Sequence, residues 1–159
     1  MDRILVTGAS GQIGSELTPK LRERHGRENV VASDIRKPRE DLIGQGLYEI
    51  VDVTEKEMLE RVVREHEIDT IFHLAAILSA TGERAPQLAW RVNILGLHNV
   101  LEVAREQSPV RVFHPSSIAV FGPETPKDLT PQETVLRPKT VYGITKVTGE
   151  LLGDYYFNK

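Results

Sequence analysis

The chain has 159 residues, 40% of them hydrophobic and 27% charged, with 20 Lys and Arg against 23 Asp and Glu and a formal net charge of −3. Those proportions exclude a collagen-like chain or a disordered tail, and a pI near 6.0 lacks the basic footprint of a nucleic-acid binder. The absence of cysteine excludes disulfides, a thiol nucleophile and a Cys-based zinc site, and fits a reducing compartment. The length suggests one domain able to bury roughly 70% of its unfolded surface. The longest apolar stretch, residues 70–80, contains His73 and is too short to span a bilayer. The opening residues 1–8 carry no signal-peptide pattern. The expectation is a cytoplasmic protein with neither nucleic acid nor membrane as partner.

Residues 3–7 form a short predicted strand that runs into a glycine turn. A helix follows over 12–24, with Ile13, Leu17 and Leu21 on one face. Residues 30–33 and 48–53 are the second and third strands. Residues 55–65 repeat Met58, Leu59, Val62 and Val63 at helical period, and Thr54 with Glu57 three residues on makes a capping box at the start. The fourth strand covers 70–74. A long helix spans 87–107, preceded by Pro86 and ended by Ser108-Pro109. The fifth strand covers 110–114 and the last helix 140–157. Strand and helix alternate, which predicts parallel βαβ units with helices on both sheet faces. Between them lies a long irregular segment, 118–139, holding Pro123, Pro126, Pro131 and Pro138; a loop of that length is usually functional or mobile.

The turn after the first strand reads Gly8-x-x-Gly11-Gln12-Ile13-Gly14. A dinucleotide pyrophosphate needs backbone N–H groups brought very close, at a helix N-terminus, and a Cβ at the approach points obstructs that. The spacing differs from the common G-x-G-x-x-G, and a tight turn with a helix-packing glycine is the plainer alternative. Asp34, 20 residues after Gly14 at the end of the second strand, can accept from both adenosine ribose hydroxyls and repel a 2′-phosphate, which favours NAD over NADP. Arg36 two residues on partly offsets that charge, and a solvated turn carboxylate is the alternative for Asp34. Asp52 can accept from the adenine amino group while Val53 packs on the ring, or Asp52 simply marks a helix entry.

Tyr142 and Lys146 stand at i and i+4, on one face of the last helix. A free phenol, with pKa near 10, is short of a useful base at pH 7 by roughly 4 kcal/mol. A nearby ammonium supplies part of that gap. Ser116-Ser117 ends the fifth strand, where small hydroxyls can hold a substrate oxygen at the carboxyl edge of a parallel sheet. His25, His66, His73, His98 and His114 show no metal-ligand spacing, so no metal is expected. His73 and His114 lie inside strand runs and read as core residues or as residues that support the site from behind.

Gly8-x-x-Gly11-x-x-Gly14, Asp34, Asp52-Val53, His73-Leu74-Ala75-Ala76, Asn93, Ser117 and Tyr142-x-x-x-Lys146 occur in this order along the chain. Together they resemble the extended short-chain dehydrogenase/reductase family. The resemblance implies an α/β fold, a Rossmann-like doubly wound parallel sheet in the order 3-2-1-4-5, with NAD as cofactor. It assigns the catalytic base or acid to Tyr142, the nicotinamide ribose to Lys146 and the substrate oxygen to Ser117, with Ser116 as the fallback. It adds Leu74, Ala75, Ala76 and Asn93 to the cofactor site.

Residues 73–83, 115–126 and 138–143 further resemble the short-chain type of L-threonine 3-dehydrogenase. Nucleotide-sugar epimerases usually carry Ser-Pro just before the Tyr, where this chain has Thr140-Val141. That branch implies oxidation of the L-threonine β-hydroxyl to 2-amino-3-oxobutanoate, with hydride to NAD+ and the proton to Tyr142. Leu78, Ser79 and Thr140 would then lie near substrate, and a homodimer would form through the helices at 87–107 and 140–157. Trp90, Leu97, Leu101, Leu151 and Tyr155 are the candidate apolar contacts. Members of the family continue past this last helix, so the chain is expected to hold the cofactor half and to lack the C-terminal substrate region. The alternatives are a nucleotide-sugar epimerase or dehydratase, and a non-catalytic NAD-binding module.

Overall fold

Residues 3–38, 42–107 and 111–159 are described by a computed structural model. They gather into two units, Met1–Ala75 with Gly96–Pro115, and Ala76–Leu95 with Ser116–Lys159.

The first unit is a five-stranded parallel sheet. Its strands are β1 (Ile4–Thr7), β2 (Val30–Asp34), β3 (Tyr48–Ile50), β4 (Thr70–His73) and β5 (Arg111–Phe113), in the order β3-β2-β1-β4-β5. This is the order expected. Three helices flank it: α1 (Gln12–His25), α2 (Lys56–Glu65) and, from later in the chain, α5 (Gly96–Glu106). β1 and β2 are buried along their whole length, as continuous apolar runs in a helix-covered parallel sheet should be. Ile4, Val6, Val30 and Ala32 form one cluster with Ala9 and Leu21, joined by Leu17. Leu5, Val31 and Ile71, in register with one another, alternate to the opposite face. The switch in connection direction falls at β1 and β4, where open α/β sheets bind ligands beyond the carboxyl ends of their strands.

Several local expectations are corrected. β3 ends at Ile50 rather than at residue 53, and Val110 lies outside the described residues. Ile13 is 59% exposed and not part of the buried face of α1, which runs instead through Gly14, Thr18, Leu21 and Arg22. The capping box at Thr54 does not form. The Thr54 hydroxyl and backbone N–H both donate to Asp52 Oδ1, at 2.8 and 2.9 Å, and the helix begins a residue later with no side-chain cap. Asp52 outcompetes because a carboxylate two residues back closes an Asx-type turn before the helix can start.

The second unit carries α3 (Ser79–Arg84), α4 (Pro86–Trp90), a π-helical turn (Arg91–Leu95), a 3₁₀ turn (Ile118–Val120) and α6 (Val141–Phe157). α3 carries no signal in the sequence, because six residues are too few to show a helical apolar period. The helix predicted over 87–107 is three elements, α4, the π turn and α5, because pattern reading cannot see an i→i+5 insertion inside a continuous apolar period. Pro86 starts α4 at a position that needs no N–H. Leu97 and Leu101 of α5 are buried within the chain and are removed from the proposed dimer surface; Trp90, Leu151 and Tyr155 remain exposed.

Candidate functional site

The glycine turn of the first unit is shaped by close backbone approach. Gly8 has φ +71°, and a Cβ there would sit 2.7 Å from the Ala75 nitrogen. A Cβ on Gly14 would collide with the Gly8 carbonyl and come within 2.7 Å of the Ala9 Cα. Gly11 is the N-cap of α1, with no side-chain cap and no acidic residue in the first turn. The first intrahelical bond runs from Ser15 N–H to the Gly11 carbonyl. The N–H groups of Gln12, Ile13 and Gly14 therefore have no intrahelical acceptor and can receive an anion.

Asp34, at the end of β2, is only 6% exposed. Its Oδ2 accepts from the Ser10 N–H at 3.1 Å, and its Oδ1 from the backbone N–H and Nε of Arg36, each at 3.1 Å. The carboxylate holds the Arg36 guanidinium above its ordinary pKa by hydrogen bond and charge. The carboxylate is thus tied to the glycine turn, and an exposed guanidinium lies against it. Tyr48 closes the cluster: its hydroxyl contacts Ser10 Oγ at 3.1 Å and donates to the Arg36 carbonyl at 2.8 Å. Burial raises this phenol. Val53 is buried against Gly96, where a Cβ would meet Val53 Cγ2 at 2.8 Å, and its carbonyl accepts from Asn99 Nδ2 at 3.0 Å. His73 and His114 stack at 5.6 Å, and His73 Nδ1 meets Thr7 Oγ1 at 2.9 Å; His73 is buried in β4, whereas His114 lies one residue past β5 and is half-buried, so it is not a core residue.

The second unit brings its own predicted residues together. Thr140 does not lie in α6 but caps it, its hydroxyl accepting from the Gly143 N–H at 3.0 Å. Glu83 Oε1 accepts from the Val141 N–H at 2.7 Å, which fastens α3 to the same helix start. Gly143 leaves no room for a side chain: a Cβ would collide with the Ala119 carbonyl and lie 2.6 Å from Pro138 Cβ. This contact seats the Tyr142 turn on the Ile118–Val120 turn, whose N-cap is Ser117. Ser117 Oγ accepts from the Ala119 N–H at 3.2 Å, which leaves its own proton to donate. The Ser116 hydroxyl donates instead to Glu150 of α6.

Lys146 is 5% exposed, with Nζ 5.7 Å from the Tyr142 ring centroid. Burial lowers its pKa from the ordinary lysine value. A partly desolvated cation interacts more strongly with a phenolate than a hydrated one. Asn93, in the π turn, does not stand open: its amide bonds the Ile77 backbone and the Thr145 hydroxyl. Leu78 and Ser79 are exposed at the start of α3. Glu83 and Thr145 were missed in the sequence. Glu83 sits in a helix too short to betray itself, and Thr145 lies unremarked between the two residues that carry the motif.

The model of the NAD dependent epimerase/dehydratase family matches residues 4–159. The chain belongs to that family. It is 51% identical over its whole length to an uncharacterized epimerase/dehydratase of Staphylococcus haemolyticus, covering 50% of that protein. Among solved structures it resembles the L-threonine dehydrogenase of Clostridium difficile, with 51% identity and a TM-score of 0.96, over all of this chain and 50% of that one. It also resembles the UDP-glucose 4-epimerase of Thermus thermophilus in complex with NAD, with 31% identity and a TM-score of 0.85, over 97% of this chain and 50% of that one. The chain spans about half the length of the curated relatives it matches. NAD is the family's cofactor, and the glycine cradle, the open helix start and the buried Asp34 fit a dinucleotide. Among the described residues, no group of His, Asp and Glu could hold a metal ion, and no helix is long and apolar enough to cross a membrane.

Proposed function

We propose that this chain is the cofactor-binding and proton-handling part of an NAD-dependent L-threonine 3-dehydrogenase. The observation that carries the chemistry is Lys146, buried beside the Tyr142 ring on a helix start held by Thr140 and Glu83. The substrate assignment is supported by the 51% identity to a solved threonine dehydrogenase, against 31% to an epimerase.

In this reading Gly8, Gly11 and Gly14 admit the pyrophosphate to the N–H groups of Gln12 and Ile13, and Asp34 accepts from the adenosine ribose. Asp52 and Val53 border the adenine. Leu74, Ala75, Ala76 and Asn93 line or support the path to the nicotinamide, and Lys146 serves its ribose. NAD+, when bound, supplies the two-electron acceptor. Ser117 donates to the β-hydroxyl oxygen of L-threonine and Tyr142 takes its proton, while Leu78, Ser79 and Thr140 border the substrate. Ser117 is preferred to Ser116 because the Ser116 hydroxyl is engaged by Glu150.

In the whole protein, at the length of its relatives, L-threonine should drive net NADH formation and a UDP-sugar should not. NAD-neutral conversion of a UDP-sugar would replace this reading with epimerisation, and tight NAD+ binding with no turnover of either would leave a binding module. A homodimer is proposed through residues 87–107 and 140–157, with Trp90, Leu151 and Tyr155, 49%, 66% and 58% exposed, as its apolar contacts. Light scattering that finds only monomer at high concentration would sink it.

A further inference from the structure

The Asp34 carboxylate is more fully engaged than a ribose acceptor needs to be. A carboxylate offers about four acceptor positions shared between its two oxygens. Among the described residues, backbone donors take one on each oxygen: the Arg36 N–H at Oδ1 and the Ser10 N–H at Oδ2, each at 3.1 Å. The Arg36 guanidinium takes the others, with Nε 3.1 Å from Oδ1 and Nη2, more loosely, 3.5 Å from Oδ2. The backbone bonds fix the carboxylate. The positions left for a ligand are the ones that the guanidinium covers.

The two ends of this contact differ in freedom. The Asp34 side chain is 6% exposed and that of Arg36 is 66% exposed. The backbone of Arg36 is pinned on both sides, its N–H donating to Asp34 and its carbonyl accepting from the Tyr48 hydroxyl at 2.8 Å. Tyr48 has a single proton to give, so in its 3.1 Å contact with Ser10 the serine hydroxyl is the donor. Through Tyr48 and Ser10, the glycine turn, the end of β2 and the Arg36 backbone are braced as one piece. The guanidinium can therefore leave by rotation of its own side chain into solvent, with the carboxylate and the backbone staying where they are.

We propose that Arg36 is a specificity-determining residue: its guanidinium competes with the adenosine ribose for Asp34, and so sets both the affinity for NAD+ and the discrimination against NADP+. The inference rests on the reading of Asp34 as the ribose acceptor. Two ribose hydroxyls reach the free positions of Asp34 only after an ion pair with a nearly buried carboxylate is broken, and neutral donors then replace a charged one. A 2′-phosphate meets the opposite situation. With Arg36 in place, the carboxylate that would repel it is partly neutralised. Removing the guanidinium thus opens Asp34 to NAD+ and bares its charge against NADP+.

The test is calorimetry of NAD+ and NADP+ on the whole protein, at the length of its relatives. Arg36→Met keeps an apolar stem and removes the charge from an exposed side chain, so the fold should tolerate it. NAD+ should bind about three- to tenfold more tightly than to wild type. NADP+ should bind no better, and the preference for NAD+ should widen by at least about threefold. In an Asp34→Ala background, Arg36→Met should change NAD+ affinity by less than about twofold, because the competition runs through the carboxylate. Unchanged or weaker NAD+ binding in Arg36→Met overturns the proposal. An equal gain in both backgrounds also overturns it, since the guanidinium would then act on the cofactor without Asp34. If Asp34→Ala alone leaves NAD+ affinity at the wild-type value, the ribose reading falls and the competition with it; a loss there without a gain in Arg36→Met overturns the competition alone.

Discussion

The two units hold their candidate site residues in place by different means. In the first, backbone does it. The glycine turn is set by close contacts of Gly8 with Ala75 and of Gly14 with Gly8 and Ala9, and Asp34 is set by the strand that carries it and by the Ser10 N–H. In the second, the sheet is absent, and apart from the close approach of Gly143 to the Ala119 carbonyl, side chains do it. Thr140 and Glu83 fix the start of α6, Asn93 and Thr145 fix the turn behind it, and Thr125 ties the long proline segment by accepting from the Gly122 N–H and donating to the Val135 carbonyl. A backbone-held site is specified by a fold's regular geometry. A side-chain-held site depends on individual polar atoms, each of which must find its one partner.

The largest expected effect separates chemistry from binding across this divide. In the whole protein, Tyr142→Phe should cost about 10²–10⁴-fold in threonine-dependent NADH formation. NAD+ affinity, measured by calorimetry, should stay within about twofold. Unchanged turnover would reduce the Tyr–Lys pair to a helix surface.

Two glycines, one packed and one open, should respond oppositely. Gly14→Ala forces a Cβ into the Gly8 carbonyl and should destabilise by about 1–3 kcal/mol in denaturant melts, with weakened NAD+ binding. Gly153→Ala in α6, where a Cβ meets nothing within 4 Å, should stabilise by up to about 1 kcal/mol. The same sign at both positions would contradict the distinction drawn between them.

Asp34→Ala should lower NAD+ affinity by roughly tenfold while leaving NADP+ affinity unchanged or improved, since in the proposed reading it removes two ribose acceptors and the charge that repels a 2′-phosphate. Arg36, released from its carboxylate, reinforces the second effect. Calorimetry of both cofactors checks this, and a preference for NAD+ that survives intact would remove Asp34 from the ribose.

The smallest effect lies at the edge of the sheet. Burial alone would raise the Glu49 carboxyl, but hydrogen bonds from His66 (3.1 Å) and Arg61 (3.0 Å) bring it below its ordinary value. A carboxyl lowered in the folded state stabilises the fold above its unfolded pKa, and that contribution is lost as pH falls through the lowered value. Glu49→Gln should therefore flatten the acid limb of a thermal-melt profile slightly and leave the neutral region little changed.

Legibility in the sequence followed the same divide. The five strands and the glycine turn were readable because buried parallel strands must be apolar runs and a close backbone approach admits only glycine; the strand order came with the family resemblance. Tyr142 and Lys146 were readable because four residues is the helical repeat. Burial facing was less secure: Ile13 shares a periodic stripe with Leu17 and Leu21 yet is exposed, because Gly14 and not Ile13 meets the turn.

The sequence by itself determined the class of fold, the glycine turn after the first strand and the shared helix face of Tyr142 and Lys146, since each is encoded in local spacing and residue type. Only the tertiary structure decided that Asp52 holds Thr54 instead of yielding to a capping box, that residues 87–107 break at a π turn, and that Asn93 spends its amide on Ile77 and Thr145. Each of these is a contest between two acceptors or two helical registers of similar local cost. Such contests are settled by which partner the rest of the chain places within hydrogen-bonding distance.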